Sequence, residues 1–198
     1  VGYEDETRQL IFDRISPFVD ELKVDSMGNL IALKKGNTGK RIATFTHMDE
    51  VALVISRIDE RGYARFEGLG GIDPKVLISQ KVRVKCRDGV ERRGIIGMLA
   101  PHLQDAKSKG KVPGFDDLFI DLSMNPDYEA IQPGDLVVID FEALELNGKV
   151  VGKALDDRAC CAVSILTARE LERFSRRPDV YFVFTSREEI GAFGAKVA

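Results

Sequence analysis

The apolar positions near the start of the chain first have helical spacing and then fall into short runs. Residues 4–22 predict a helix, which the Ser16-Pro17 pair should kink or end. Residues 30–33 and 42–46 predict two short strands, and residues 51–55 predict a further one. The N-terminal part of the chain is therefore expected to combine one helix with several strands.

Between about residues 58 and 152 the pattern changes to short strands separated by turns, with no long helical segment. Asp88-Gly89 is typical of a hairpin turn between two of these strands. Closely spaced strands of this kind favour a small β-barrel. The polar, lysine-rich segment 104–114 is predicted to be a mobile loop.

Helical spacing returns after residue 152. It predicts a helix over 158–174, and the continuous apolar run at 180–184 is typical of a strand buried on both faces. Residues 192–198 have the pattern of a helix start.

The simplest organisation is one α/β domain interrupted by an insertion. The fold class is then α/β, with a mixed sheet flanked by helices. Residues 1–57 and 153–198 would form the α/β domain, and residues 58–152 would form a small β-barrel-like domain inserted into it.

Composition excludes several kinds of partner. The 198-residue chain has a formal net charge of −3, which gives no electrostatic basis for binding nucleic acid or an acidic membrane. No apolar run is long enough to span a membrane. An odd number of cysteines and the absence of a signal-peptide pattern favour free thiols in the cytoplasm. Val1 in place of an initiator methionine favours a trimmed start.

A histidine and an aspartate stand at the end of one predicted strand. Because strand side chains alternate, His47 and Asp49 should face the same way. His47 could bind a metal ion while Asp49 fixes the tautomer of its imidazole. Taken alone, the pair is better explained by an ordinary hydrogen-bonded histidine at a strand end.

Two pairs of carboxylates occupy similar positions. Asp156 and Asp157 open the predicted helix, where one could be an N-cap and one could bridge two cations. Glu188 and Glu189 follow the most apolar strand, where α/β sheets place their ligand crevice. One glutamate could be a metal ligand and the other a general base, or both could be acids favoured by a helix dipole. The purely structural explanations weaken because all three clusters fall at predicted strand ends.

The ligand types narrow the choice of metal. Histidine and carboxylates without cysteine suit Zn²⁺, Co²⁺ or Mn²⁺. Two such ions sharing a carboxylate are used by aminopeptidases and phosphatases. The residues therefore predict a two-metal hydrolase site.

Five motifs follow one another along the chain. They are THMDE at 46–50, GIDPKVL at 71–77, APHL at 100–103, GKALDDR at 152–158 and EEIG at 188–191. This ordered set resembles the glutamyl/deblocking aminopeptidase family of two-metal metallopeptidases, which includes the tetrahedral aminopeptidases and members labelled endoglucanase. The resemblance covers essentially the whole chain.

The resemblance implies a role for each candidate. His47, Asp156 and Glu189 would bind two Zn or Co ions, with Asp156 bridging them. Glu188 would be the general base, and Asp49 would orient His47. The protein would be a cytoplasmic aminopeptidase that removes N-terminal residues from peptides. The inserted domain would mediate dimerisation, and family members form homo-oligomers up to dodecamers.

The family chain continues beyond residue 198 and supplies a further carboxylate and a histidine as ligands. The resemblance therefore implies an N-terminal fragment that would be inactive by itself. Two other classes of function stay open at this point. One is a non-catalytic assembly or peptide-binding module built on the β domain. The other is a metal-free glycoside hydrolase, which would need two carboxylates flanking a sugar.

Overall fold

A computed structural model describes residues 1–103 and 111–198. The chain forms two compact units, one of Val1–Glu50 with Ala154–Ala198 and one of Val51–Lys153. The second unit begins earlier than the boundary at residue 58 expected from the sequence, because the strand before that point pairs with strands of the barrel. The predicted mobile loop at 104–114 lies, from residue 104 to 110, outside the described residues.

The bounds of the regular elements are as follows. The helices are α1 (Asp5–Ile15) and α2 (Leu155–Glu170). The strands are β1 (Glu21–Val24), β2 (Leu30–Lys34), β3 (Arg41–His47), β4 (Ala52–Ile58), β5 (Tyr63–Leu69), β6 (Lys81–Lys85), β7 (Glu91–Met98), β8 (Leu118–Asp121), β9 (Leu136–Ile139), β10 (Leu144–Leu146), β11 (Lys149–Val151) and β12 (Asp179–Thr185). Over the described residues, neither helix is long and apolar enough to cross a membrane.

The first unit is built on a four-stranded mixed sheet in the order β1-β2-β12-β3. Strand β12 is parallel to β3 and antiparallel to β2. Because β3 and β12 are parallel, their carboxyl ends meet at one edge, where His47 is the register partner of Thr185. The mixed sheet expected from the sequence is confirmed, and its carboxyl edge is where the candidate residues gather.

Both helices pack on this sheet through one apolar cluster. Most of its fully or nearly fully buried members come from α1, β2, β12 and α2, and they include Ile15, Leu30, Phe182, Phe184 and Cys161. Burying a side chain as large as phenylalanine or leucine stabilises the fold by about 1.5–3 kcal/mol. Neighbouring residues of β12 are buried on opposite faces, as the continuous apolar run predicted.

The predicted end of the first helix at the Ser16-Pro17 pair is confirmed. Helix α1 ends at Ile15 and gives way to a short 3-10 turn at Ser16–Phe18, because the Pro17 ring cannot continue the helical hydrogen bonds. Two other local expectations are wrong. Leu22, expected in that helix, lies in β1 opposite Ala32. Residues 192–198 form turns instead of a helix, since Ala192 has a φ of 56°, outside the right-handed helical region.

The second unit is a closed barrel in the order β4-β5-β8-β7-β6-β9. All neighbouring strands are antiparallel, and β9 closes the barrel by pairing with β4. Alternate residues face inward, as Val82 and Val84 do on β6. The barrel predicted from the sequence texture is confirmed, and β10 and β11 form a separate hairpin in the same unit.

Candidate functional site

The candidate residues converge at the carboxyl edge of the mixed sheet. His47 is the last residue of β3, Glu188 lies in the loop after β12, and Asp156 lies at the start of α2. The His47 Nε2 atom is 3.2 Å from Asp156 Oδ1 and 3.8 Å from Glu188 Oε2. Two carboxylates from separate parts of the chain therefore lie around one imidazole nitrogen from a third part.

The other imidazole nitrogen fixes the tautomer of His47. Its Nδ1 atom is 3.2 Å from the backbone oxygen of Asp49 and 3.5 Å from Asp49 Oδ1. A backbone carbonyl can only accept a hydrogen bond, so Nδ1 carries the proton in the neutral ring and Nε2 presents its lone pair. The orienting contact expected from Asp49 is thus made mainly by its backbone oxygen.

The field at this position favours positive charge. Burial lowers the pKa of His47, but the charges of Asp49 and Glu188 and the hydrogen bond to Asp156 outweigh it and raise that pKa above 6.5. The same carboxylates would stabilise any cation placed beside Nε2.

The Asp49 carboxylate also binds the backbone of the loop after β12, which the sequence pattern did not indicate. It is fully buried, and its two oxygens accept hydrogen bonds from the backbone N–H groups of Glu188 at 3.0 Å and Glu189 at 3.2 Å. It therefore fixes the loop that carries both glutamates. No helix begins at these glutamates, so a helix dipole does not account for the pair.

The two aspartates lie at a kink at the start of α2. The N-cap residue is Ala154, with a φ of 56°, and both Asp156 and Asp157 have non-helical backbone angles. Asp157 Oδ2 accepts a hydrogen bond of 3.3 Å from the backbone N–H of His47, which ties α2 to the end of β3. The Asp156 side chain is 93% exposed, so its carboxylate is open to a ligand. The sequence left Asp157 as a possible N-cap or bridging ligand, and it gave no sign of the bond to the His47 backbone.

Glu189 belongs to the same cluster through its backbone and its charge. Burial is the main cause that raises the pKa of its carboxyl group, with smaller contributions from Asp49 and Glu188 and an opposing one from His47. Crowded carboxylates of this kind repel one another until a cation neutralises them.

The geometry fits part of a metal site. Around a tetrahedral ion with bonds of about 2.0–2.1 Å, two ligand atoms lie about 3.3 Å apart. His47 Nε2 and Asp156 Oδ1 are separated by 3.2 Å, which suits two ligands of one ion. Among residues 1–103 and 111–198, however, no group of three or more His, Cys, Asp or Glu side chains is placed to hold a metal ion by itself. The described residues therefore bring two possible donor atoms to a suitable separation without forming a complete metal site.

Known proteins share this fold and sequence over the whole chain. The M42 glutamyl aminopeptidase family matches residues 28–198. Lysyl aminopeptidase from Pyrococcus furiosus is 36% identical over 205 residues, which cover 100% of this chain and 58% of that protein.

Solved structures agree with the sequence match. An aminopeptidase from the archaeon Desulfurococcus kamchatkensis has a TM-score of 0.88 at 36% identity, covering 99% of this chain and 54% of its own. The TET1 peptidase of Pyrococcus horikoshii, which can assemble into a tetrahedron or a large octahedral shell, has a TM-score of 0.83 at 36% identity, with coverages of 99% and 59%. This chain therefore spans a little over half the length of the relatives it matches. With a family match over residues 28–198 and relatives aligned along its whole length, the chain belongs to the M42 glutamyl aminopeptidase family.

Proposed function

We propose that this chain is the part of a metal-dependent aminopeptidase that carries its general base and some of its metal ligands. The observation that carries the proposal is the convergence of Asp156 and Glu188 on His47 Nε2, within 3.8 Å, in a chain of the M42 family. Relatives named as aminopeptidases support removal of N-terminal residues from peptides as the reaction.

Three residues would hold the metal. His47 would bind through Nε2, the exposed carboxylate of Asp156 would bridge two ions, and Glu189 would be a terminal ligand. Zn²⁺ and Co²⁺ both accept this donor set. A bound divalent cation would lower the pKa of a water molecule and polarise the carbonyl of the scissile peptide bond. Catalytic zinc sites use three protein ligands per ion, so we propose that further ligands come from outside residues 1–198.

Glu188 would act as the general base. Its carboxylate lies beside His47 Nε2 and is 43% exposed, so a water molecule can reach it. Its backbone is held by the buried Asp49 carboxylate, which limits where the base can move. Glu188 would take a proton from the attacking water and deliver it to the leaving amine.

Two finer expectations belong to the same proposal. The barrel unit would mediate dimerisation, and dimers would build a larger homo-oligomer. The ability of the TET1 peptidase of Pyrococcus horikoshii to assemble into a tetrahedron or a large octahedral shell supports a large assembly. The compartment would be the cytoplasm, where peptides are the available substrates.

The test uses the full-length protein that contains this chain, with aminoacyl-anilides as substrates. EDTA should abolish hydrolysis, and added Zn²⁺ or Co²⁺ should restore it. Glu188→Gln should keep its metal content and lose about 10²–10⁴-fold in kcat, the usual contribution of a general base. Glu145→Gln, an exposed glutamate of β10, is the matched control and should keep full activity.

Three results would count against the proposal. Full activity in the presence of EDTA would exclude a catalytic metal and would favour a metal-free mechanism with two carboxylates, as the glycoside hydrolase would use. Normal turnover by Glu188→Gln would remove its assignment as the base. An inert wild-type protein, loaded with either metal, would refute the aminopeptidase function itself.

A further inference from the structure

The loop that carries Glu188 and Glu189 is closed on itself. At its ends, the backbone N–H of Gly194 donates to the backbone oxygen of Ser186 at 3.0 Å. Within it, Arg187 and Ala192 have φ values of 57° and 56°, a left-handed conformation that costs non-glycine residues energy. Because the local sequence does not favour this shape, surrounding groups must hold it.

A single side chain binds both ends of this loop. Asn29, which precedes β2 and is fully buried, accepts a hydrogen bond of 3.0 Å from the backbone N–H of Ser186 through Oδ1. Its Nδ2 donates to the backbone oxygen of Gly194 at 2.9 Å. The Asn29 amide therefore bridges the first and last residues of the loop, which are distant from it in sequence.

Asp25 determines which way the Asn29 amide points. Its Oδ2 is 2.7 Å from Asn29 Nδ2, and a carboxylate oxygen can only accept from that group. Its Oδ1 accepts from the backbone N–H groups of Met27 and Asn29, both at 2.9 Å. The hydrogen bonds of Asp25 therefore orient the Asn29 amide so that its donor and its acceptor each face the correct end of the loop.

Close packing at Gly194 leaves no room for a side chain. A Cβ atom at this position would lie 2.3 Å from both Asn29 Oδ1 and the backbone oxygen of Ser186. Such distances require something to move, so only glycine lets the loop return against Asn29.

We propose that Asn29 is a positioning residue for the reaction. It pins the two ends of the 186–194 loop while Asp49 holds the middle through the N–H groups of Glu188 and Glu189. The base thereby keeps its place beside His47. This inference rests on the proposed function for its effect on turnover, while its effect on the loop can be measured without any activity.

The test compares Asn29→Ala with wild type in the full-length protein. Deuterium uptake of the 186–194 segment should become at least about tenfold faster, because the loop opens locally more often. The kcat for aminoacyl-anilide hydrolysis should fall by about 10–100-fold, the effect of a base displaced by about 1 Å. KM should stay within about threefold of wild type, since the substrate contacts are unchanged.

Two further variants keep the test decisive. Asn125→Ala is the matched control, because the amide of Asn125 in the barrel unit also makes three hydrogen bonds, in this case all to backbone groups of Arg93 and Leu122. It should leave both the loop exchange and kcat unchanged. If Asn29→Ala does not fold, Gly194→Ala perturbs the same contact from the other side and should speed exchange of the same segment.

The outcomes separate the two proposals. Unchanged deuterium uptake and kcat in Asn29→Ala, or equal losses in Asn125→Ala, would overturn the positioning role. An inactive wild-type protein would overturn the proposed function, and the exchange measurement would still decide whether Asn29 holds the loop.

Discussion

The buried carboxylate of Asp49 allows a sharp test of how the end of β3 is joined to the loop that carries Glu188 and Glu189. Asp49→Asn keeps the shape of the side chain, so it creates no cavity. One amide oxygen can still accept a hydrogen bond, but the amide –NH₂ must face a second N–H group. The variant therefore loses one of the two bonds to Glu188 and Glu189, at 3.0 and 3.2 Å, and leaves a buried donor unpaired.

The cost follows from the type of bond. A hydrogen bond to a charged acceptor contributes about 1.5–3 kcal/mol, and an unpaired buried donor costs about 1–3 kcal/mol. Both bonds are longer than the 2.7–2.9 Å of strong charge-assisted bonds, which favours the lower end of these ranges. Removing a buried charge offsets part of the loss. We expect the free energy of unfolding of the α/β unit to fall by about 2 kcal/mol.

Urea unfolding of the 198-residue chain, followed through hydrogen exchange of the β12 amides, measures this unit separately from the barrel. The midpoint should decrease with an unchanged m-value. Asp73→Asn is the control, because its half-exposed carboxylate bonds the neighbouring Lys75 in a short turn of the barrel unit. A change below about 0.5 kcal/mol for Asp49→Asn, which is the range of ordinary surface substitutions, would refute the idea that Asp49 stabilises the loop through its bonds to Glu188 and Glu189.

Three more outcomes follow from the described residues. Asp156→Asn should remove both metal ions together from the full-length protein, as measured by elemental analysis. The melting temperature of the metal-free variant should be unchanged, because the Asp156 side chain is 93% exposed. Retention of one ion would show that Asp156 does not bridge the two ions. Gly94→Val should destabilise the barrel by about 1–3 kcal/mol in a thermal melt, because a Cβ atom at this position would lie 2.6 Å from a core side chain and overpack the core. Gly71→Ala is the control and should be neutral, because a Cβ atom there meets nothing within 4 Å. The hydrogen bond to Arg92 lowers the pKa of Asp127 below 3.8, so its contribution to stability is present above 3.8 and is lost as pH falls through the lower folded-state value. Asp127→Asn should therefore flatten the acid dependence of the barrel's urea midpoint below pH 4, and an unchanged slope would contradict this account.

The sequence predicted the parts of the fold that depend on repeating patterns. The apolar run at 180–184 indicated a strand buried on both faces, and it lies at the centre of the mixed sheet. Because the carboxyl ends of parallel strands share an edge, His47 and Glu188 could be expected to meet. Repeating patterns carry this information since every residue of an element contributes to them.

Single long-range hydrogen bonds leave no such pattern. Asn29 reads in the sequence as a turn residue before a strand, and nothing nearby indicates that it binds Ser186 and Gly194. The bond from the His47 backbone to Asp157 is equally invisible, because an aspartate at the start of a helix has a simpler explanation as a cap. The hydrogen bonds that hold the site in place were therefore less predictable than the site residues themselves.

The strand order of the sheet has a consequence for synthesis of the protein. Strand β12 lies between β2 and β3, so these two strands remain separated until residue 185 has been added. The barrel unit, by contrast, is contiguous from Val51 to Lys153. At about 5–20 residues per second, the ribosome completes the barrel sequence roughly 2–6 s before it completes β12. The barrel can therefore close on the nascent chain first, and the edge of the sheet that carries His47 is assembled after the barrel unit has folded.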